Sequence, residues 1–404
     1  MNKIVERLFL VYLVLKPYYL FESGGLQIGD IILLIGFILY LVFSKFNQEM
    51  KSKLFTAIQA NKLFILFTFL TFAINAAYFA VYGMSKFLLS SLYYVFIFLA
   101  IALFYIYGQN KSFLTNVSKV LKFNLLAQLA ISLVGIGRDY DSERYMGTFN
   151  DPNQFGFYIL ISYLFIYAIN VVLKNKKQFD VTFFITALFL IFQSASTGSL
   201  FGLAIFAMLQ IAYNIKDILH VTYPKIQRTM YSLGGVMSVA IIIFVFAGLG
   251  AFNLSKFDVN ALTQDQAVTQ RIQGKVAKAD NEANISLWED RGYDIIYKYP
   301  NYIAFGAGEG NYDRYIKATN NYGNEVHATF PSMLFYYGII PFLIIAAWLY
   351  KFVEDVDAKM LIIYSAIVAE SFILLNQRQS LFWMLFVLGY LYYNKNILAV
   401  RRSI

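Results

Sequence analysis

Three arginines and one histidine stand out among the polar segments of this sequence, because each lies between long apolar runs. They are Arg144, Arg291, Arg378 and His327. A guanidinium group matches phosphate oxygens with two parallel hydrogen bonds and keeps its charge at any physiological pH. An imidazole can transfer a proton near neutral pH. Such residues beside an apolar interior predict a site for an anion that carries a lipid tail.

The segment that follows Arg144 contains signals for the start of a helix. Asp151 is suited to cap the helix, Pro152 to occupy its first position, and Gln154 to lie three residues after the cap. These signals do not account for Arg144, because a cation before a helix N-terminus gains nothing from the helix dipole. Two interpretations of Arg144 stay open: a functional role, or a contact with a lipid headgroup or with its own loop.

Arg291 falls in a stretch with helical periodicity, from Ser286 to Tyr299. On that predicted helix, Arg291 shares a face with Asp294 and Lys298. Arg291 is therefore either a functional cation or a solvated residue that pairs with a neighbouring acid, Glu289 or Asp294.

The glycine-rich turn and the two histidines also have alternative interpretations. The turn from Gly306 to Gly310 is either a phosphate-binding loop or a plain flexible turn, and no strand and helix can be argued around it. His327 stands before Pro331, where the chain re-enters an apolar run, so its imidazole serves either catalysis or a local hydrogen bond. His220 is expected in a cytoplasmic loop.

One acid, Glu370, falls within an apolar run, and Arg378 follows in the next polar turn. A charge within a membrane span is costly unless it is paired, which makes Glu370 a functional hypothesis. The alternative is a structural ion pair between Glu370 and Arg378.

The elements that position these residues are membrane helices. Of the 404 residues, 59% are hydrophobic and only 14% are charged, with a mean hydropathy of +0.57, which excludes an ordinary soluble domain. The lack of cysteine excludes disulfides and thiolate metal sites, and two histidines are too few for a histidine-rich metal site. The net charge of +9 does not predict nucleic-acid binding, because the basic residues lie in short loops between apolar runs.

Twelve runs approach the roughly 20 apolar residues that a membrane helix needs. No small-residue cleavage site follows the first run, so we expect a retained helix and not a signal peptide. The sequence predicts an all-α polytopic membrane protein of about twelve transmembrane helices. The spans are 4–21, 28–44, 63–82, 87–107, 117–137, 153–173, 179–194, 198–213, 231–251, 329–350, 359–375 and 379–393.

Lysines and arginines fall on alternate loops, which predicts the orientation of the chain. With the N-terminus inside, the short outer loops contain only Lys86, Arg138, Arg144 and Arg378. Because cytoplasmic loops are enriched in basic residues, we expect both termini in the cytoplasm. The inner basic residues are Lys3, Arg7, Lys45, Lys51, Lys53, Lys62, Lys111, Lys119, Lys122, Lys174, Lys176, Lys177, Lys216, Lys225, Arg228, Lys351, Lys359, Lys395, Arg401 and Arg402.

One long polar loop, 252–328, is predicted on the outer side, and loops of this length are usually functional. It divides the chain into three parts. These are helices one to nine in 1–251, the loop with short amphipathic helices in 252–328, and helices ten to twelve with a cytoplasmic tail in 329–404.

At these residues the chain resembles the O-antigen polymerase and O-antigen ligase superfamily, lipid-linked polysaccharide transferases of the GT-C type. The first family pattern, an arginine and then Gly-x-Phe and Pro-Asn at a helix start, is matched by Arg144, Gly147, Phe149, Pro152 and Asn153. The second, an arginine, a proline, a Gly-x-Gly turn, a histidine and a later glycine, is matched by Arg291, Pro300, Gly306, Gly308, His327 and Gly338. Many members have Ser-Arg before the eighth helix, whereas this chain has Ser196-Thr-Gly-Ser-Leu200. That departure counts more against a ligase than against a polymerase.

The resemblance implies a GT-C-like fold and a polymerase of O-antigen or capsule type in a bacterial cytoplasmic membrane. Such an enzyme moves glycan from undecaprenyl diphosphate to the non-reducing end of a lipid-linked repeat unit, at the outer face and without a metal or cofactor. Arg144 and Arg291 would stabilise the leaving diphosphate. His327, or a carboxylate such as Glu309 or Glu325, would accept the hydroxyl proton. The resemblance implies further substrate contacts from Asn153, Gly308, Glu309, Tyr312, Arg314 and Arg378.

The implied partners are the carrier-linked glycans, membrane lipids and a chain-length regulator protein, with no nucleic acid. Two alternatives stay open. One is a ligase that transfers finished polymer to lipid A-core. The other is a transporter such as a flippase for the same lipid-linked units, although the chain shows neither two similar halves nor many charges within its spans.

Overall fold

A computed structural model of the chain describes residues 2–20, 27–140, 144–175, 178–219, 291–318, 325–354 and 356–401. Within these ranges the chain is almost entirely α-helical, and six helices are long and apolar enough to cross a membrane. They correspond to predicted spans two to six and span eight, which confirms an all-α, multi-pass membrane architecture. The six are Ile28–Phe46, Lys62–Tyr82, Lys86–Tyr107, Lys111–Val134, Pro152–Val172 and Thr197–Asn214.

The helices of the described residues are numbered here in chain order. They are α1 (Asn2–Leu15), α2 (Ile28–Phe46), α3 (Gln48–Ala60), α4 (Lys62–Tyr82), α5 (Lys86–Tyr107), α6 (Lys111–Val134), α7 (Pro152–Val172), α8 (Val181–Ser194), α9 (Thr197–Leu219), α10 (Tyr293–Lys298), α11 (Asn301–Phe305), α12 (Thr329–Tyr337), α13 (Ile339–Val353), α14 (Ala358–Ser371) and α15 (Ser380–Arg401). A two-stranded antiparallel hairpin, β1 (Arg138–Tyr140) and β2 (Arg144–Gly147), lies between α6 and α7. A 3₁₀ helix covers Tyr312–Ala318.

The full set of twelve predicted spans is not confirmed. The first helix ends at Leu15, short of the predicted residue 21, and α3 is an additional helix between the second and third spans. The ninth predicted span, 231–251, lies outside the described residues, as do His220, Glu289 and the stretch 261–284. Two other apolar helices, Val181–Ser194 and Ile339–Val353, are shorter than a full span.

The tenth predicted span, 329–350, is wrong as a single helix. Helix α12 ends at Tyr337 and α13 begins at Ile339, because Gly338 has φ 77° and ψ 175°. That backbone conformation is essentially restricted to glycine and cannot continue a helix. The apolar pattern across the break is continuous, so hydropathy alone does not detect it.

Gly338 meets a second glycine, Gly306, from the large loop. A Cβ atom on Gly338 would lie 2.7 Å from the Gly306 nitrogen, and a Cβ on Gly306 would lie 2.7 Å from the Tyr337 carbonyl carbon. Gly306 also has a positive φ, of 81°. The two backbones therefore approach more closely than any residue with a side chain allows.

Helix α7 lies at the centre of the bundle, and 94% of an 18-residue apolar stretch within it is buried. It contacts α6, α8, α9, α14 and α15. Its N-terminus is thereby fixed against several other elements, which determines the position of the residues that begin it.

Two contacts join the basic connections that were predicted to lie inside. Lys122 forms an ion pair with Asp180 at 2.9 Å, and Lys359 Nζ donates to Gln178 Oε1 at 2.6 Å. These segments of α6, α14 and the α7–α8 connection therefore lie together.

The described part of the large loop docks on the helices. Tyr78 of α4 donates to the Gly306 carbonyl at 2.9 Å, and Tyr293 of α10 donates to the Phe372 carbonyl at 2.6 Å. Contacts to both halves of the bundle hold this part of the loop against the helix ends.

Candidate functional site

Arg144 begins strand β2, in a hairpin that sequence periodicity did not reveal. Its partner across the hairpin is Tyr140. Arg144 Nε donates to the Ser194 carbonyl at 3.1 Å, and Nη2 donates to Asn153 Oδ1 at 2.9 Å. The guanidinium is therefore oriented by the start of α7 and by the end of α8.

The start of α7 confirms the capping prediction. The Asp151 side chain accepts from the backbone nitrogens of Asn153 and Gln154 at 2.8 and 2.9 Å, and Pro152 occupies the first helical position. The cap fixes Asn153, which in turn orients Arg144. Sequence signals thus located this part of the site, but not the hairpin that supplies the arginine.

Arg291 and His327 are neighbours through their backbones, because the His327 nitrogen donates to the Arg291 carbonyl at 2.9 Å. The prediction that Arg291 lies on a helix is wrong: α10 begins only at Tyr293, after Gly292 with φ 71°. A Cβ on Gly292 would lie 2.7 Å from the Glu325 carbonyl oxygen, so this glycine also allows the two chain segments to approach closely. Asp294, which was expected to share a face with Arg291 and Lys298, forms an ion pair with Lys298 at 2.9 Å.

Glu370 does not pair with Arg378, contrary to the structural alternative for these two residues. Its two carboxylate oxygens accept from Asn376 Nδ2 at 2.7 and 2.8 Å, and Arg291 lies within electrostatic range. Glu370 is fully buried, as expected. The turn after α14 folds back so that Asn376, six residues later, reaches the carboxylate, and this is a local contact that spacing alone did not suggest.

The true partner of Arg378 is Glu309, from the glycine-rich turn. Arg378 Nη2 forms an ion pair with Glu309 Oε1, and the Tyr337 hydroxyl donates to Glu309 Oε2. The Glu309 backbone nitrogen donates to Asn75 Oδ1 at 2.8 Å. Both carboxylate oxygens are engaged inside the protein, which favours a structural role for Glu309 over proton transfer or substrate binding.

The glycine-rich turn, expected to be either a phosphate loop or a plain flexible turn, is buried and hydrogen-bonded to helix α12. The nitrogens of Ala307 and Gly308 donate to the carbonyls of Phe335 and Tyr336 at 2.9 and 2.8 Å. A phosphate loop needs free N–H groups, and these are already used. Gly308 is required for packing, since a Cβ there would lie 2.6 Å from the Tyr78 ring.

Arg314, expected to contact substrate, is enclosed by aromatic rings. Its guanidinium carbon lies 4.8 Å from the centre of the Tyr315 ring and 5.0 Å from that of Tyr78. It also donates to the carbonyls of Ala307 and Gly308. The cation–π contacts and the two hydrogen bonds to carbonyls indicate that Arg314 stabilises the glycine-rich turn.

Tyr312 stands between the charged groups of this region. Lys86 Nζ lies 4.4 Å from the centre of its ring, and its hydroxyl lies 3.4 Å from Arg378 Nη2. Burial, followed by the negative charges of Glu309 and Glu325, raises the pKa of the Tyr312 phenol far above its ordinary value. The phenol therefore stays protonated at physiological pH.

A cavity of about 70 Å³ lies between the N-terminal and C-terminal parts of the bundle. Its lining includes Gln154 from the start of α7, Arg378 from the α14–α15 connection, Tyr93 from α5, and an ion pair between Lys16 and Asp30. Gln154 follows Asn153, the partner of Arg144, in the first turn of α7. Of the lining residues, only Arg378 was a candidate from the sequence.

Lys16, Asp30, Tyr93 and Gln154 were not selected from the sequence as parts of the site. A usable signal existed for two of them, because Lys16 falls inside predicted span 4–21 and Asp30 inside predicted span 28–44. Charges within spans are functional candidates by default. Within the residues that the structure describes, no three His, Asp or Glu side chains come together as a metal site.

The structure joins the predicted residues into two groups at the α14–α15 connection. Arg291 and His327 reach it through Thr329, whose nitrogen and hydroxyl both donate to the Leu374 carbonyl, at 3.1 and 2.8 Å. Arg378 belongs to the same connection. Arg144 is linked to it through the α8–α9 connection, because Arg144 donates to Ser194 and a Cβ on Gly198 would lie 2.6 Å from the Leu374 side chain. Both groups, Arg291 with His327 and Arg144 with Arg378, are thus linked to the α14–α15 connection.

No protein-family model matches the chain, and a search of curated proteins finds no match.

Proposed function

We propose that this protein is a polysaccharide polymerase that transfers glycan from a polyprenyl diphosphate to the non-reducing end of a lipid-linked repeat unit. The active site would face the outer side of a bacterial cytoplasmic membrane. The observation that carries the proposal is that Arg144, Arg291, Arg378 and His327, from separate segments of the chain, all lie on or attach to segments that contact the α14–α15 connection.

The chemistry follows from these groups. An acceptor hydroxyl attacks the anomeric carbon of the donor, the bond from that carbon to the carrier diphosphate breaks, and the hydroxyl proton must leave. Arg144 and Arg291 stabilise the negative charge that develops on the departing diphosphate. His327 accepts the proton, since its imidazole is partly exposed while its backbone nitrogen is used to hold the loop.

Asn153 contributes by orientation. It accepts one of the two hydrogen bonds that fix Arg144. Because these contacts fix the orientation of the guanidinium, less conformational freedom is lost when it binds a diphosphate.

The experiment uses the purified full-length chain in liposomes with a synthetic polyprenyl-diphosphate repeat unit. Longer carrier-linked products, absent with the Arg144→Ala variant, are expected of a polymerase. Transfer only to added lipid A-core would assign the ligase activity instead. Movement of a labelled carrier across the bilayer without any new glycosidic bond would replace the enzyme proposal with a transporter.

A further inference from the structure

The glycine-rich turn of the large loop is held beside a membrane-crossing helix, at a level inside the end of that helix. The Tyr78 hydroxyl donates to the Gly306 carbonyl at 2.9 Å, and the Glu309 nitrogen donates to Asn75 Oδ1 at 2.8 Å. Tyr78 and Asn75 belong to α4 and precede its last residue, Tyr82, by about 6 and about 10 Å along the axis. Because helical side chains point back toward the N-terminus, the turn lies at least that far inside the end of α4.

Helix α13 indicates the same depth by a separate route. Its C-terminal end is level with the start of α4, since Lys351 Nζ donates at 2.9 Å to the carbonyl of Ala60, two residues before α4. The 15 residues of α13 extend about 22 Å and the 21 residues of α4 about 31 Å, so α13 begins about 9 Å short of the other end of α4. The turn meets α13 at this point, because a Cβ on Gly338 would lie 2.7 Å from the Gly306 nitrogen.

The polar backbone groups of the turn have partners within the protein. Non-helical backbone is tolerated at membrane depth only where it is buried in protein, because hydrocarbon offers no hydrogen bonds. The nitrogens of Ala307 and Gly308 donate to carbonyls of α12 at 2.9 and 2.8 Å. The carbonyls of the same two residues accept from Arg314. The hydrogen bonding of the turn is therefore compatible with a position inside the bilayer.

Phe305, directly before the turn, is a large apolar residue with 81% of its surface exposed, and Ala304 is also exposed. A Cβ on Gly338 would lie 2.9 Å from the Ala304 carbonyl oxygen and 3.0 Å from the Phe305 carbonyl carbon. Both residues therefore lie at the start of α13. The exposed residues in the first turns of that helix are apolar too, with Ile340 63% and Leu343 57% exposed. Helix α11 thus adds apolar surface at the level where α13 begins.

We propose that residues 301–310 form a re-entrant segment, in which α11 enters the leaflet that contains the α4–α5 connection and the glycine-rich turn is buried in the bundle. Ala304 and Phe305 contact the acyl chains of that leaflet. The predicted loop 252–328 is then not entirely outside the membrane, and α11 covers the depth that the short α13 does not reach. This placement requires neither the polymerase activity nor a particular orientation of the chain.

The test measures the depth of residue 305 with a spin label on the full-length protein in nanodiscs. The chain has no native cysteine, so Phe305→Cys gives a single labelled site. Electron paramagnetic resonance compares collisions of the label with oxygen, which concentrates in the bilayer, and with a water-soluble nickel chelate. Labels at Phe72→Cys and Val81→Cys calibrate the depth, since these residues are 45% and 74% exposed on α4. Asp139→Cys, at an exposed position of β1, is the aqueous control.

The label at residue 305 should favour oxygen over nickel, in contrast to the label at residue 139, and its depth should lie between those of residues 72 and 81. Ala304→Cys is a second variant that changes the side chain little and should give the same preference. Melting temperatures equal to that of the wild type show that both variants are folded.

Two results overturn the proposal. Labels at residues 304 and 305 that collide with nickel as freely as the label at residue 139 would place α11 in water. Labels that are shielded from oxygen and nickel alike would show that protein, for instance a second copy of the chain, covers α11 in place of lipid.

Discussion

Arg378 and Glu309 form an ion pair although 69 positions separate them in the sequence. The pair joins the α14–α15 connection to the glycine-rich turn, and the Tyr337 hydroxyl completes the coordination of the carboxylate. Glu309 is fully buried, whereas 28% of the Arg378 side chain is exposed. The pair is therefore a structural bond at the rim of the cavity.

Removal of one partner should be costly. Glu309→Ala leaves a mostly buried guanidinium without its anion, and we expect a loss of about 3 kcal/mol, the lower end for breaking a buried pair because water reaches Arg378. Denaturant unfolding of Glu309→Gln, Arg378→Met and the double variant measures the coupling. The exposed pair Lys53–Glu49 is the control and should show no coupling. Additive effects at Glu309 and Arg378 would contradict the assignment.

The contact between Gly306 and Gly338 predicts that the stability of the protein depends strongly on the absence of a side chain at residue 338. Gly338→Ala combines a disfavoured φ with a Cβ only 2.7 Å from the Gly306 nitrogen. Gly83→Ala is the control for left-handed backbone strain without a close contact, since Gly83 has φ 67° and ψ 6° and open space around it. We expect the melting temperature in detergent to fall at least about twice as far for Gly338→Ala as for Gly83→Ala. Backbone strain alone costs roughly 1–2 kcal/mol, and the steric contact at Gly338 adds to it. Equal shifts would show that packing at Gly338 is unimportant.

Loss of the α7 cap should have a moderate effect on stability and an additional effect on activity. Asp151→Ala removes the acceptor for two backbone nitrogens, which typically costs about 1 kcal/mol. Because the cap also fixes Asn153, the Arg144 guanidinium becomes less ordered and turnover should fall. Asp139→Ala, at an exposed position of β1, is the control. A stability loss with unchanged turnover would separate Asn153 from the site.

Substitution of Arg144 by lysine tests whether the several N–H donors of the guanidinium are needed in addition to its charge. Lysine cannot reach both the Ser194 carbonyl and Asn153 Oδ1, and polymer formation should fall about 100- to 1000-fold with normal membrane levels. Arg138→Lys, on the other strand of the same hairpin, should have little effect because Arg138 is exposed. Wild-type polymer in Arg144→Lys would reduce its role to general attraction.

His327→Ala should slow turnover and leave donor binding nearly intact. The contact that holds the loop comes from the backbone nitrogen of residue 327, so the fold survives removal of the imidazole. Steady-state kinetics with the synthetic donor should give a lower kcat at a similar KM, by about 100-fold or more if the imidazole is the base. An effect confined to KM would assign His327 to binding.

The success of sequence reasoning depended on how local each feature is. The start of α7 was predicted because Asp151 and Pro152 act within one turn, and six spans were predicted because hydropathy is a property of a short window. The break at Gly338 was missed because the apolar pattern continues through it. The partner of Arg378 was missed because it comes from a distant turn. Lys16 and Asp30 carried a signal, a charge within an apolar run, that was applied only to Glu370.

The contact of the glycine-rich turn with the C-terminal helices bears on the order of assembly during translation. Ala307 and Gly308 donate to carbonyls of Phe335 and Tyr336, which leave the ribosome later than the turn itself. A nascent chain that ends before α12 therefore exposes the N–H groups of the turn and leaves the Glu309 carboxylate without Tyr337 or Arg378. The site becomes complete only when the last part of the chain is inserted, so C-terminal truncation disables residues encoded far upstream.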